Sequence, residues 1–110
     1  MTYTVIVVPP FASELKRLVK KYPSLKVEYI ELVRELKKNP EIGVPLGNNV
    51  YKIRLAIASK GKGKSGGARV ITYLKTKQGN VYLLSIYDKG EKDTISDKEI
   101  QSILNAEVSD

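Results

Sequence analysis

Residues 51–73 read YKIRLAIASKGKGKSGGARVITY, in which two strand-like segments flank a basic loop rich in glycine. The segment carries no acidic residue, and its six positive charges are Lys52, Arg54, Lys60, Lys62, Lys64 and Arg69. Uncompensated positive charge of this density suits the binding of phosphate groups. The segment therefore predicts a strand–loop–strand unit whose surface binds a nucleic acid.

The first strand of this unit separates apolar from basic side chains, because successive residues of a strand point to opposite faces. One face is apolar and consists of Tyr51, Ile53, Leu55 and Ile57. The other face consists of Lys52, Arg54, Ala56 and Ala58. In the strand after the loop, we expect Val70 to pair with Leu55, because this register keeps the apolar residues together. Arg69 then lies opposite Ala56 on the basic face.

A further strand, Val81 to Tyr87, follows a loop around residues 77–79. We place Leu84 opposite Thr72, which keeps alternate apolar residues in the core, namely Tyr82, Leu84 and Ile86. Tyr87 then lies opposite Arg69. The basic face is thus predicted to unite, beside two alanines that leave room for a ligand, Lys52, Arg54, Arg69 and Tyr87.

The N-terminal half predicts one strand and two helices. The segment from Tyr3 to Val8 is apolar on both faces and is followed by Pro9 and Pro10, as is typical of a buried strand. Apolar residues at helical spacing then indicate a first helix from Phe11 to Tyr22 and a second from Leu25 to Leu36. The two helices should form an antiparallel hairpin that covers the apolar face of the sheet.

Two serines are placed to cap helices. Ser24 precedes the second helix, and Ser96 stands at capping-box spacing from Glu99 before a short final helix. Residues 41–49, EIGVPLGNN, are a loop by composition. The chain is therefore predicted to be a single α+β domain over residues 1–110. Its N-terminal strand and helical hairpin precede an antiparallel three-strand meander in one twisted sheet, and a short C-terminal helix follows.

Composition limits the chemistry. The chain has a net charge of +7 and contains neither cysteine nor histidine, so it lacks thiol ligands and the commonest general base. We expect no metal and no cofactor, and any catalysis must use Lys, Arg, Tyr or carboxylates. The opening TYTVIVV is only strand length and has no signal-peptide pattern. We therefore expect a cytoplasmic protein that makes no contact with a membrane.

Gly63, Lys64 and Ser65 resemble the end of a phosphate-binding P-loop, but Ala58 occupies the position that requires the first glycine. A strand also follows the loop, where a P-loop needs a helix. The glycines by themselves indicate a flexible hairpin loop. The lysines that alternate with them favour phosphate contact, and the predicted nucleic-acid-binding residues on and near the loop are Lys60, Lys62, Lys64 and Tyr73.

Tyr73 and Tyr87 are either core aromatics or residues that stack on a base or donate a hydrogen bond, and the sequence leaves both readings open. Asp88, Glu91 and Asp93 look like a solvated turn after the last strand. No carboxylate pair is spaced for glycosidase or metal chemistry.

The order of elements, together with the segments YKIRLA, GKGKSGGARVI and YLLSIYDKGEK, resembles the RelE/ParE superfamily of bacterial toxin–antitoxin toxins, and within it the HigB-like branch. The resemblance implies a microbial-RNase-like fold and a type II toxin that cleaves mRNA in the ribosomal A site. Such an mRNA interferase is an endoribonuclease that needs no metal. Its implied partners are mRNA, the ribosome with its rRNA, and a cognate antitoxin.

The resemblance also implies roles for individual residues. Lys52 and Arg54 match the paired basic positions on the second strand of RelE toxins. Arg69 matches the arginine that holds the scissile phosphate, and Lys89 and Lys92 fall where RelE toxins are basic after the last strand. The implied catalytic set is Lys52, Arg54, Arg69, Tyr87, Lys89 and Lys92.

Gly90 stands where RelE toxins have a second catalytic arginine, and Ser96 stands near the position of their terminal tyrosine. These departures leave Lys52, Lys89 and Tyr87 as alternative carriers of the proton. Two rival functions stay open, the second of them because the second arginine is missing. One is a ParE-like protein that inhibits DNA gyrase, and the other is a catalytically inactive RNA-binding paralogue.

Overall fold

The computed structural model describes residues 2–61, 63 and 66–108, and within them a five-stranded sheet with helices on both faces. The predicted sites Lys62 and Lys64 lie outside the described residues. In chain order the elements are β1 (Thr4–Val7), α1 (Pro9–Lys21), α2 (Leu25–Lys38), β2 (Val44–Gly47), β3 (Val50–Leu55), β4 (Ala68–Lys75), β5 (Asn80–Asp88) and α3 (Asp97–Glu107). Single 3₁₀ turns follow β3 and β4 at Ala58–Lys60 and Thr76–Gln78.

The strands lie in the order β1-β5-β4-β3-β2, with β1 parallel to β5 and every other pair antiparallel. The α+β class and the predicted order of strand, helical hairpin, meander and final helix are confirmed. The loop predicted over residues 41–49 is partly wrong, because β2 pairs there with β3. Asn48 and Asn49 form the turn with φ of 53° and 63°, and asparagine tolerates this left-handed conformation in hairpins.

The helix ends differ in part from the sequence prediction. Helix α1 begins at Pro9, because proline lacks the N–H that the first helical turn leaves unpaired. Ser24 makes no capping bond to α2, since its hydroxyl accepts instead from the N–H of Ser59 at 2.9 Å. The capping box of Ser96 and Glu99 at the start of α3 is confirmed.

The core lies between the sheet and the helical hairpin. Helix α1 packs on β5 and α2 on β1. The largest side chains with almost no exposure include Phe11, Leu18, Leu25, Leu36, Val70 and Ile86. Helix α3 lies on the other face of the sheet, where Gln101 and Leu104 share a cavity with Tyr73.

The pairing of β3 with β4 is shifted by two residues from the predicted register. Val70 pairs with Ile53 rather than Leu55, and Arg69 pairs with Arg54 rather than Ala56. A shift of two keeps every side chain on its predicted face. Next to this pairing, the backbone at Gly67 lies very close to the end of β3. A Cβ atom at this position would lie 2.1 Å from the carbonyl oxygen of Leu55, so only glycine fits there.

The predicted pairing of β4 with β5 is correct at one end of the two strands only. Tyr87 lies opposite Arg69 as predicted, but a bulge makes Leu83 rather than Leu84 the partner of Thr72. Beyond the bulge, Tyr82 lies opposite Tyr73, on the same face as Arg69. The prediction that Tyr82 joins the Thr72 side is therefore wrong. An unbroken apolar strand gives no signal for such an insertion.

Candidate nucleic-acid interface

One row of cross-strand partners defines the centre of the site. Arg54 on β3, Arg69 on β4 and Tyr87 on β5 are paired in sequence across the sheet, and directly opposed residues share a face. In the next row, Lys52 lies opposite Ile71 on the same face. The structure thus brings together four of the residues that the sequence assigned to the basic face.

These residues differ in exposure. Arg54 lies on the surface and Lys52 is half-buried, whereas Arg69 is 5% exposed and Tyr87 is 4% exposed. The Arg69 guanidinium donates from Nη1 to the carbonyl oxygen of Ala68 at 3.1 Å. Arg69 therefore lies on the predicted basic face of the sheet but is not exposed to solvent. Strand alternation gives the face of a side chain but not what later segments place over it.

Residues 89–96, the β5–α3 connection, bring two predicted site lysines to this face. The Lys92 Nζ lies 5.9 Å from the centroid of the Tyr87 ring and 2.6 Å from a carboxylate oxygen of Glu99. Ile95 of the connection is buried. The connection therefore covers Tyr87 with a cation and anchors itself in the core.

Lys89 is held by Asp93. Its Nζ donates to the Asp93 carboxylate at 2.5 Å and to the Asp93 carbonyl oxygen at 2.7 Å. The pKa of Asp93 is lowered, chiefly by the hydrogen bond from Lys89 and to a smaller extent by the charges of Lys52 and Arg69. This carboxylate therefore lies in the positive field of the basic face.

Asp88 is the centre of a buried cluster that the sequence did not predict. It is 1% exposed, so the prediction of a solvated turn is wrong for this residue. Its carboxylate accepts from the Tyr22 hydroxyl and the Gly90 N–H, each at 2.9 Å, and forms an ion pair with Lys60. Burial raises the pKa of Asp88, but the hydrogen bonds from Lys60, Gly90 and Tyr22 outweigh burial and lower it.

The Asp88 cluster decides where Lys60 lies. Asp88 follows Tyr87 on β5 and pairs with Ala68, so its side chain points to the helical side of the sheet. The Lys60 ammonium group is consequently drawn toward α1 and away from Arg69. The structure does not bring Lys60 to the basic face, although the sequence proposed it as an RNA ligand.

The same cluster accounts for Gly90. A Cβ atom at this position would lie 3.2 Å from the Lys60 Nζ and 3.3 Å from a carboxylate oxygen of Asp88. An arginine here would press on the ion pair and on the hydrogen bond from its own N–H. The signal that could have revealed the cluster is an aspartate placed directly after an apolar strand, where only a paired carboxylate can be buried.

The β5–α3 connection is also fixed to α1. Glu91 accepts from Arg17 at 2.6 Å and from Lys21 at 3.1 Å. Hydrogen bonds from Arg17 and then Lys21 lower the pKa of Glu91. These groups are exposed and contribute little stability individually. Together they join the connection to α1 two residues after Lys89.

The remaining predicted residue, Tyr73, is half-buried at the far end of the same face. Its ring lies 6.1 Å from that of Tyr82, and α3 lies beside it. Tyr73 is separated from Arg69 by Ile71 on the same side of β4. It can extend the interface but does not touch the central row.

A groove of about 570 Å³ between α2 and β3 is lined by Lys52 and Arg54 on one side. Its other wall carries Glu28, Glu31 and Glu35, whose charge repels a polyanion. Among the described residues, no group of acidic side chains is arranged to hold a metal ion. Within the same part of the chain, no helix is long and apolar enough to cross a bilayer.

Comparison with known proteins agrees with this architecture. The free RelE toxin of Escherichia coli, in a doubly substituted form, is similar with a TM-score of 0.65 at 15% identity, over 96% of this chain and 98% of that chain. A chain of a RelBE toxin–antitoxin complex from Mycobacterium tuberculosis gives 0.61 at 18% identity, over 80% and 99%. A chain of the archaeal RelE–RelB complex from Pyrococcus horikoshii gives 0.55 at 21% identity, over 82% and 98%.

Identities this low show the fold alone, but a family match goes further. Residues 12–108 match the family described as the RelE toxin of the RelE/RelB toxin–antitoxin system. The match includes both helices of the hairpin, the basic face and α3. The chain therefore belongs to the RelE toxin family, within the RelE/ParE superfamily of toxin–antitoxin toxins.

Proposed function

We propose that this chain is a ribosome-dependent mRNA endoribonuclease of a type II toxin–antitoxin system, in the HigB-like branch of its superfamily. It would cleave mRNA in the ribosomal A site without a metal ion. The observation that supports this most directly is the row of Arg54, Arg69 and Tyr87, with Lys52 and Lys89 beside it. Membership of the RelE toxin family supports the same reading.

The arrangement suits the cleavage of RNA because the substrate carries its own nucleophile. An enzyme has to align the 2′-hydroxyl, remove its proton, stabilise the charge that develops on phosphorus and protonate the leaving 5′-oxygen. Arg54 and Arg69 suit the phosphate, since a guanidinium presents several donors in a fixed plane and stays charged. Such a site depends on the ribosome to position mRNA.

Tyr87 and Lys52 are the candidates for proton transfer. The Tyr87 hydroxyl is buried and makes no hydrogen bond to any described residue. An unpaired buried hydroxyl costs about 1–3 kcal/mol, which a substrate oxygen reaching this point would offset. Lys89 suits a phosphate contact, because its contact with Asp93 shows that an anionic oxygen fits beside it.

A cognate antitoxin is the proposed protein partner. The related structures from M. tuberculosis and P. horikoshii are toxin–antitoxin complexes. We propose that an acidic or amphipathic antitoxin segment covers the Arg69 face or displaces α3. Ile100 of α3 is buried, and Ile103 and Leu104 pack partly buried against the core, so displacement of this helix would expose apolar surface that an antitoxin segment could cover.

Cell-free translation with the purified protein tests the enzymatic part. Primer extension should show mRNA cut at the A site in the wild type, and Arg54→Ala should reduce the cuts by about a hundredfold or more. Arg34→Ala is the matched control, because Arg34 is also an exposed arginine but lies on α2. Intact mRNA with trapped DNA gyrase would support the ParE-like alternative. Intact mRNA with retained RNA binding would support an inactive paralogue.

A further inference from the structure

One carboxylate lies among the cations of the basic face. The Asp93 side chain is 91% exposed, yet it contacts Lys89 at 2.5 Å. The charges of Lys52 and Arg69 act on the same carboxylate and favour its ionised form. The Asp93 carboxylate is therefore in contact with Lys89, and the charges of Lys52 on β3 and Arg69 on β4 also act on it.

A carboxylate and a phosphate present the same kind of group to an ammonium ion, namely an anionic oxygen that accepts a short hydrogen bond. The Lys89–Asp93 contact thus identifies a position where such an oxygen is stabilised. Because Asp93 is almost fully exposed, its side chain can turn into water without the cost of breaking a buried ion pair. An incoming phosphate can then take the same position.

We propose that Asp93 is an intramolecular competitor of the RNA phosphate: its carboxylate occupies the anion position beside Lys89 in the free protein, and RNA displaces it. The inference rests on the proposed function, because it assigns RNA as the ligand of this face. The consequence of this competition is a preference for mRNA on the ribosome over RNA free in solution. RNA free in solution must displace the carboxylate at the expense of affinity, whereas mRNA held by the ribosome arrives at a high effective concentration.

Lys92 has a counter-ion as well, but Asp93 is the better residue to change. Glu99, the partner of Lys92, also closes the capping box with Ser96, so its substitution would disturb the start of α3. Asp93 lies before α3, and the capping bonds of this helix are made by Ser96 and Glu99 instead. Substitution of Asp93 therefore changes the charge at the face and leaves the helix in place.

The test compares Asp93→Asn with Glu41→Gln. Both remove one exposed negative charge, but Glu41 lies in the turn after α2. Fluorescence anisotropy would measure the binding of a short single-stranded RNA whose 2′-O-methyl groups prevent cleavage, at several salt concentrations. We expect Asp93→Asn to bind roughly two- to fivefold more tightly than wild type. The slope of log affinity against log salt should be steeper for Asp93→Asn, because rising salt also screens the Lys89–Asp93 pair that RNA must displace in the wild type.

A double-mutant cycle identifies the cation that is released. In a Lys89→Ala background, Asp93→Asn should give no further gain in affinity or slope. The inference is overturned if Asp93→Asn and Glu41→Gln bind RNA equally, or if the gain persists without Lys89. A purely structural role for Asp93 would change the melting temperature and leave the salt slope unchanged.

A second probe separates this inference from the proposed function. If the wild type binds no RNA, the RNase proposal fails, and titration with inorganic phosphate decides the inference instead. The NMR signal of the Lys89 ammonium group should then shift at a lower phosphate concentration in Asp93→Asn than in Glu41→Gln. Equal titration curves would overturn the competitor role, whatever the protein does to RNA.

Discussion

Arg54 and Arg69 lie directly opposite each other on neighbouring strands, one on the surface and the other almost wholly buried. Like charges in directly opposed positions destabilise an antiparallel pair by roughly 0.2–1 kcal/mol. The sheet tolerates this cost at the place where we propose that an RNA phosphate binds. We therefore expect substitution of the exposed Arg54 to leave the fold intact. Substitution of the buried Arg69 should affect both stability and phosphate binding.

The exposed arginine gives the first prediction. Arg54→Ala should reduce mRNA cleavage by about a hundredfold to a thousandfold, the usual effect of removing one donor that stabilises transition-state charge. The melting temperature should stay the same or rise slightly, because the repulsion with Arg69 is removed. Thermal unfolding and primer extension measure the two effects. Arg34→Ala should change neither, and a loss of cleavage in that control would mean that net charge alone is responsible.

The second prediction concerns the buried arginine, Arg69. Arg69→Ala should abolish cleavage and also lower the free energy of unfolding by about 1–3 kcal/mol, because truncation of a buried side chain leaves a cavity. Arg69→Lys keeps the charge and most of the volume but loses the planar array of donors. We expect this variant to retain more stability in urea unfolding and still to cleave poorly. A folded Arg69→Ala protein that cleaves at the wild-type rate would refute the site.

The third concerns the Asp88 cluster. Asp88→Asn should lower the free energy of unfolding by roughly 2–3 kcal/mol, because charge-assisted hydrogen bonds are lost and Lys60 is left unpaired. Tyr22→Phe removes one donor to the same carboxylate and should cost about 1 kcal/mol. Chemical denaturation measures both. If the two variants matched wild type, the cluster would not stabilise the fold.

The fourth follows from the lowered pKa of Asp88 in the folded protein. The unfolded state then binds more protons than the native state near the pKa of Asp88, so stability rises with pH in that range. The contribution is complete above the unfolded pKa of about 3.9 and is lost as pH falls through the lower folded value. Denaturation between about pH 3 and pH 7 should show a steeper acid loss in wild type than in Asp88→Asn. Parallel curves would contradict the assignment.

The fifth concerns the antitoxin. Because we expect its bound segment to replace apolar contacts of α3 as well as to cover charge, the complex should persist at about 1 M salt, where exposed charge pairs are largely screened. Size-exclusion chromatography of the co-expressed pair measures this. Dissociation by salt alone would show that the apolar contribution is absent.

The sequence predicted the faces of the sheet better than its details, and the reason is physical. Period-two alternation determines on which side Arg54 and Arg69 lie, and a register error of two residues leaves that result unchanged. Alternation does not indicate a bulge, so Tyr82 was assigned to the wrong side. It also says nothing about what later segments cover. The burial of Arg69 and the pairing of Lys60 with Asp88 depend on contacts between parts of the chain far apart in sequence.

The parallel pairing of β1 with β5 has a consequence for the order in which the sheet can form during synthesis. Thr4 pairs with Asn80 and Val7 with Leu83, so β1 cannot pair until β5 has been synthesised. Contacts so distant in sequence form late, because most of the chain must be present before they compensate for loop closure. Tyr87 and the connection that completes the basic face come later still. A growing chain on its own ribosome therefore cannot assemble the basic face until β5 and residues 89–96 have been synthesised.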